Sequence, residues 1–288
     1  MIDLHSHILP GIDDGAANLE ISMAMARRSV DNGVSVMACT PHIFPGVWNN
    51  TGPMIRAGVE RLQRALDESG IPLRLVTGAD VHIAANLVAD IRSGRVLSLH
   101  DTRYVLIELP HHVMPPRADD CFFSLMAAGY VPIFTHPERL SWVHDNYDFI
   151  ERLVNSGVWM QITAGSLVGG FGSRARYMAE KMLGDGIVHI LASDAHDIDR
   201  RPPLLAEGWE KARAFVGEEE ALNLILTRPK GILNNELPNK MPAIPREQLR
   251  SARRVEPRRR VASSRGGVDR SRSERGGGLS DWVRRFFG

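Results

Sequence analysis

Residues 1–15 read MIDLHSHILPGIDDG. The apolar start from Met1 to Leu4 predicts a short strand that delivers His5 and His7, with Asp13, Asp14 and Gly15 directly behind. In an extended chain, residues i and i+2 point to the same side, so the two imidazoles can grip one cation. Neutral imidazole suits Zn, Mn, Fe or Ni, and a nearby carboxylate widens the choice toward harder metals such as Mg. A pair of solvent-facing histidines at a frayed terminus would look the same, so His-x-His settles nothing alone. The rest of the chain repeats the theme.

Apolar runs predict six further strands, at 34–39, 73–77, 104–107, 131–134, 158–162 and 188–192. Helical spacing separates them: 18–31, 54–69, 117–128, 146–155 and 173–184, with 203–235 helical around a turn near Gly217. Strands alternating with helices predict βαβ units and a parallel sheet buried on both faces. Alternation does not separate an open sheet from a closed barrel, but the polar residues do. Nearly every strand ends in a side chain that can hold a metal: His5 and His7, His42, Asp80, Glu108, His136, Asp194 and His196. In a β/α barrel those ends converge on one face, whereas an open sheet spreads them along an edge. The expected fold class is therefore α/β, a seven-stranded, distorted TIM-like barrel. Any one of these residues could be a hydrogen-bonded core histidine or a buried ion pair. That explanation would have to hold at every strand end together, so a metal centre is the reading.

Composition fits a globular chain of 288 residues, 43% hydrophobic and 24% charged. Two cysteines, Cys39 and Cys121, provide no disulfide framework and suit a reducing cytoplasm. The N-terminus does not read as a signal peptide, and no apolar run approaches a membrane span. The formal net charge of +1 conceals an asymmetry: residues 246–288 hold 13 Arg against 5 acidic residues, so residues 1–245 carry −7. The expected boundary lies at 242/243, with a barrel over 1–242 and an Arg-, Ser- and Gly-rich, disordered tail over 243–288. The tail ends in LSDWVRRFFG, where Trp282, Phe286 and Phe287 among arginines suit an anionic membrane surface or a partner.

The motifs HSHILPGIDDG, TPH, IELP, HPERL, QITAGSLVGGFG and SDAHDIDRRPP resemble, in order and spacing, the polymerase-and-histidinol-phosphatase (PHP) superfamily. More narrowly they are similar to its bacterial branch of metal-dependent protein-tyrosine phosphatases of capsule and exopolysaccharide synthesis. The resemblance covers residues 1 to about 236 and not the tail. It implies the PHP barrel, three divalent metal ions, commonly manganese, and a phosphotyrosine protein as substrate, such as a membrane-anchored bacterial tyrosine kinase. Residue by residue it implies His5, His7 and Asp194 on a first metal and Asp80 bridging to a second, which Glu108 and His136 complete. Asp14, His42 and His196 would hold the third, and Arg139 and Arg201 would clasp the phosphate. The family pattern favours Glu at the bridge, where this chain has Asp80.

The chemistry agrees without the resemblance. A bound cation lowers the pKa of water toward neutrality, and paired cations stabilise both oxygens of an in-line displacement. Arginine forks match a phosphoryl group bidentately. Residues 163–166 are expected to form a loop offering backbone donors, and His111 and His112 are expected to line the entrance without belonging to the site.

Rival readings differ in testable residues. A cysteine-dependent phosphatase needs Arg six residues after Cys; Pro45 and Ala127 stand there instead. An amidohydrolase wants a carboxylated Lys at the fourth strand, but none of Lys181, Lys211, Lys230 and Lys240 lies at a strand end. A sibling PHP phosphoesterase, such as a histidinol-phosphate phosphatase, would share the metals and differ in pocket lining. Basic tails also bind nucleic acid, but an intact ligand set argues against a mere adaptor.

Overall fold

A computed structural model describes residues 1–255. Nine strand segments and the helices between them are arranged as β1 (Ile2–Asp3), α1 (Leu19–Asp31), β2 (Val36–Cys39), β3 (His42–Ile43), α2 (Gly52–Glu68), β4 (Arg74–Thr77) and β5 (Asp80–His82). Then come α3 (Leu87–Arg92), β6 (Tyr104–Glu108), α4 (Ala118–Ala127), β7 (Val131–Thr135), α5 (Tyr147–Ser156), β8 (Trp159–Thr163), α6 (Ala164–Leu167), α7 (Gly172–Gly184) and β9 (Ile190–Ala192). The chain continues through α8 (Leu205–Val216), α9 (Glu218–Leu222), α10 (Arg228–Leu233) and α11 (Arg246–Val255).

Every strand pairing is parallel, in the orders β1-β2-β4 and β3-β5-β6-β7-β8-β9. The second and third strands resume beyond their expected ends as the separate segments β3 and β5, which turns seven strands into nine segments. Pro41, lacking an N–H, separates β2 from β3. Gly78 separates β4 from β5, and there a Cβ would sit 2.9 Å from Thr40 Cγ2. Asp80 N–H donates to the Pro41 carbonyl (3.2 Å), so the two sheets run on into each other. The circle closes where Ser6 pairs in parallel with Ala195, through Asp194 N–H to His5 O (2.9 Å) and His7 N–H to Ala195 O (2.8 Å). The result is a (β/α)7 barrel.

Alternation along the strands sorts the core into two sets. Leu4, Ala38, Val76, Leu106, Ile133 and Ile190 form one buried cluster, with Tyr104, Trp159, Ile232 and Met241 below them. Their neighbours Met37, Val105, Ile107, Phe134 and Leu191 pack in a larger cluster with Met25, Ile55, Leu62, Phe122 and Met182 from the helices. Each such side chain contributes about 1.5–3 kcal/mol of burial. Helix α1 begins where the Asn18 side chain accepts from Ile21 N–H (3.0 Å), and α2 buries Ile55, Val59, Leu62 and Leu66 at helical spacing.

Helix continues past the expected boundary at 242/243. Residues 246–255 form α11, Leu249 is buried, and Arg246 Nη1 donates to Asn155 Oδ1 (2.9 Å). Arg250 donates to the Asp185 carbonyl (3.1 Å) and to Glu151 (2.8 Å). A count of apolar residues misses this helix because polar contacts hold most of it. The rest of the expected tail, including Trp282, Phe286 and Phe287, lies outside the described residues.

Candidate metal centre

All nine expected ligands gather at the C-terminal mouth of the barrel. His5 Nε2 lies 3.2 Å from His7 Nε2, 3.4 Å from Asp80 Oδ2 and 3.3 Å from Asp194 Oδ1, and His7 Nε2 lies 3.4 Å from Asp194 Oδ1. Four ligands at about 2.1 Å from one cation stand roughly 3–3.5 Å from each other. Asp80 Oδ2 also faces His136 Nε2 at 3.7 Å, and His136 Nε2 faces Glu108 Oε1 at 3.7 Å, so Asp80 stands between two groups. The third group is Asp14 Oδ1, 3.4 Å from both His42 Nε2 and His196 Nε2, with His7 within reach. His42 turns its other nitrogen to Glu108 Oε2 (3.3 Å), which ties the third group to the second.

Local backbone explains the aim of these side chains. His136 and Asp194 both take left-handed φ angles, +37° and +51°, at the ends of β7 and β9. Such angles are uncommon outside glycine and turn the chain at a functional strand end. Gly15 is required for another reason: a Cβ there would lie 2.1 Å from His7 O. That close approach lets Ala16 N–H donate to the same carbonyl (3.0 Å) and folds the Asp13-Asp14 segment back over His7.

The residues fit divalent cations, and the outer partners show why. His5 Nδ1 donates to Gln161 Oε1 (2.8 Å), His7 Nδ1 to Asp13 Oδ2 (2.7 Å), and His196 Nδ1 to the Asp194 carbonyl (2.9 Å). With the Nδ1 proton committed, each neutral ring presents an Nε2 lone pair inward, toward other lone pairs. Asp80 Oδ2, Asp194 Oδ1 and His196 Nε2 are buried without a hydrogen-bond partner. Cations held in these groups would satisfy them.

Charge is distributed to match. Burial opposes ionisation of Asp80 and Asp194, but His5 and His136 around the first, and Arg201, His5 and Arg139 around the second, hold both carboxyls well below the usual range. Glu108, likewise opposed by burial and by Asp80, is drawn down to about 2 by His111, His42 and His136. Burial alone would lower His5 and His42, yet Asp194 and Asp80 raise the first to about 9, and Asp14 and Glu108 raise the second to about 11. Burial and Arg139 lower His136 to about 4; burial and His7 lower His196 to about 4. Cations that load at neutral pH therefore displace protons from His5 and His42.

Arg139 and Arg201 stand at the same mouth. Both pair with Asp194 Oδ2, Arg201 Nη2 at 2.7 Å, and the Arg139 guanidinium lies 4.3 Å above the Phe171 ring. A cavity of about 460 Å³ opens over them, lined by Asp14, His42, Glu108 and His136 and walled by Phe44, Trp48 and Pro110. Two expectations change. Residues 164–167 form a helical turn rather than a loop, and Glu138, through Oε1, takes the Thr163 N–H (2.9 Å) and the Ser166 hydroxyl (2.7 Å). His111 reaches the centre, with Nε2 3.6 Å from Glu108 Oε1, while its neighbour His112 does not enter the grouping. Asp13 and Gln161 went unread as orienting partners, though a glutamine inside the apolar run VWMQIT was a visible signal.

The comparisons with known proteins agree with this geometry. The family model described as "Capsular polysaccharide synthesis, CpsB/CapC" matches residues 1–234. The chain is 37% identical over 201 residues to tyrosine-protein phosphatase YwqE of Bacillus subtilis, covering 70% of this chain and 79% of that protein. It is 26% identical over 246 residues to tyrosine-protein phosphatase CpsB of Streptococcus pneumoniae, covering 82% and 100%. A chain from the crystal structures of YwqE from Bacillus subtilis and CpsB from Streptococcus pneumoniae, described as metal-dependent tyrosine phosphatases, superposes with a TM-score of 0.79 at 34% identity. That superposition covers 82% of this chain and 96% of the other. A metal-competent barrel mouth, matched over nearly the whole barrel, places the chain in the CpsB/CapC family of capsular polysaccharide synthesis.

Proposed function

We propose that the protein is a metal-dependent phosphomonoesterase that removes phosphate from phosphotyrosine on protein, using a centre of three divalent cations, manganese by preference. The observation that carries it is the set of 3.2–3.4 Å edges joining His5, His7, Asp80 and Asp194, beside two further groups of the same kind. In the assignment, His5, His7 and Asp194 would hold the first cation, Glu108 and His136 would hold the second, and Asp80, within 3.4 Å of His5 and 3.7 Å of His136, would serve both. Asp14, His42 and His196 hold the third. Cations bound there supply an activated water and stabilise charge on the phosphoryl oxygens.

The chain's own residues do the rest. Arg139 and Arg201 present guanidinium forks to the phosphoryl oxygens, and Asp194, which both already touch, keeps them aimed at the cavity. Phe171 beneath Arg139 fixes the plane of its fork. Phe44, Trp48 and Pro110 offer apolar walls to the tyrosine ring and limit water around the ester. Water adds to phosphorus as the ester oxygen departs, giving inorganic phosphate and tyrosine.

Protein loaded with Mn is expected to release phosphate from phosphotyrosine peptides and to stop when a chelator is added. Activity that survives chelation, or a preference for histidinol phosphate, defeats this reading. The proposed substrate is a membrane-anchored bacterial tyrosine kinase of capsule or exopolysaccharide synthesis, with the phosphatase acting on the cytoplasmic side.

The tail is proposed to bring the barrel to that membrane. Arg246 and Arg250 are engaged with the barrel, so the attraction falls to the arginines beyond them, each worth about 1 kcal/mol near an anionic leaflet. Full-length protein is expected to co-sediment with phosphatidylserine vesicles at low salt, and a chain ending at Val255 is expected to remain in solution. Equal pelleting of the two, or no dependence on anionic lipid, removes this role.

A further inference from the structure

We infer that His111 is a metal ligand, the fourth protein donor to the cation held by Asp80, Glu108 and His136. This rests on the metal-centre reading above and extends it to a residue outside the nine. The decisive quantity is a distance. His111 Nε2 lies 3.6 Å from Glu108 Oε1, too long for a direct hydrogen bond. It nearly equals the 3.7 Å from Glu108 Oε1 to His136 Nε2. Both nitrogens therefore stand around the same carboxylate oxygen at the spacing of ligands that share a cation, and Glu108, His111 and His136 each offer a ligand atom within 4.8 Å of the others'. The two imidazoles lie side by side, centroids 5.4 Å apart and planes 27° apart, as ligands converging on one point do.

The backbone around His111 is held for that purpose. Ser141 donates to the His111 carbonyl through both its N–H (2.9 Å) and its hydroxyl (3.1 Å), and Trp142 Nε1 donates to the Pro110 carbonyl (2.9 Å). The segment after β7 thus clamps the turn after β6. His112 shows the contrast: its ring is 6.3 Å from that of His111, and among the described residues no metal-competent group includes it.

Coordination chemistry gives the reason. Asp80, Glu108 and His136 are three donors, the number of a catalytic site with open positions, while Mn takes up to six ligands. His111 is partly exposed and lines the cavity. It adds a nitrogen on the substrate side of the centre and leaves room for water and a phosphoryl oxygen.

The test is Mn(II) titration followed by the electron paramagnetic resonance of free ion, with Co(II) visible spectra, on the full chain. His111→Ala is expected to weaken one class of cation by on the order of 10–100-fold and to alter the Co(II) bands, leaving the other classes unchanged. His112→Ala is expected to bind as wild type. His111→Glu, which restores a ligand but would repel a phosphate, is expected to recover the cation. Wild-type titration and spectra in His111→Ala, or equal weakening in His112→Ala, overturn the assignment. A wild-type protein that binds no Mn overturns the metal-centre reading itself, so the two failures are distinct.

Discussion

Asp80→Ala is expected to leave a folded barrel that retains one of the three cations proposed for the centre. Asp80 Oδ2 faces His5 at 3.4 Å and His136 at 3.7 Å, so one carboxylate serves two of the three groups. Removing it takes away the negative charge that keeps two cations adjacent, and Coulomb repulsion then acts unopposed at short range. Turnover on a phosphotyrosine peptide is expected to fall at least about a thousandfold, the equivalent of roughly 4 kcal/mol of transition-state stabilisation. Asp194 and Asp80 both raise the pKa of His5, so removing Asp80 lowers it. Asp80→Asn preserves shape and removes charge, so it should behave like the Ala variant. Asp80→Glu keeps the ligand type and the family's usual residue, and retains both cations. His5→Ala weakens chiefly one. Metal analysis by emission spectroscopy after dialysis reads the result, and a full complement in Asp80→Ala places the bridge elsewhere.

Arg139→Ala and Arg201→Ala are each expected to cut kcat/KM by about 10²–10³, the loss of a charge-assisted donor aimed at developing charge. Both guanidiniums meet Asp194 Oδ2, while Asp194 Oδ1 faces His5 and His7. Either arginine alone therefore still steadies the carboxylate, and each single variant keeps its metal content. The double variant strips Asp194 Oδ2 of both partners and is expected to lose cation from the first group as well. Lysine replacements keep the charge but not the fork, and should restore metal more fully than turnover. Near-wild-type rates in both single variants would remove the arginines from phosphate binding.

Much of this was legible in the chain because strand ends and ligands coincide. His5, His7, Asp80, Glu108, His136 and Asp194 each follow an apolar run, and a parallel barrel leaves such residues nowhere to go but one face. Other features had no linear signature. Pro41 and Gly78 break two strands without breaking the circle, and only the Asp80–Pro41 hydrogen bond reveals the continuity. Asp13 and Asp14 are adjacent carboxylates, yet one orients His7 and the other faces His42 and His196. Nothing in their order tells which does which. His111 looked like a loop histidine because the Ser141 and Trp142 contacts that place it come from a segment 30 residues away. Helix α11 escaped because arginines paired across the surface, rather than an apolar stripe, fasten it to the barrel.

The meeting of Ser6 with Ala195 has a consequence for how the enzyme is made. The bond from Ser193 N–H to Asp3 Oδ1 spans 190 residues, and the first cation group draws on both sides of that junction. During synthesis His5 and His7 leave the ribosome long before Asp194 exists, so a nascent chain has two imidazoles and no site. Contacts of such long range form late and slowly. A site built across that junction is complete only in the closed ring, and cations that bind only that form stabilise it. Cellular metal supply thereby becomes a term in how much enzyme is folded, as well as in how fast each molecule works.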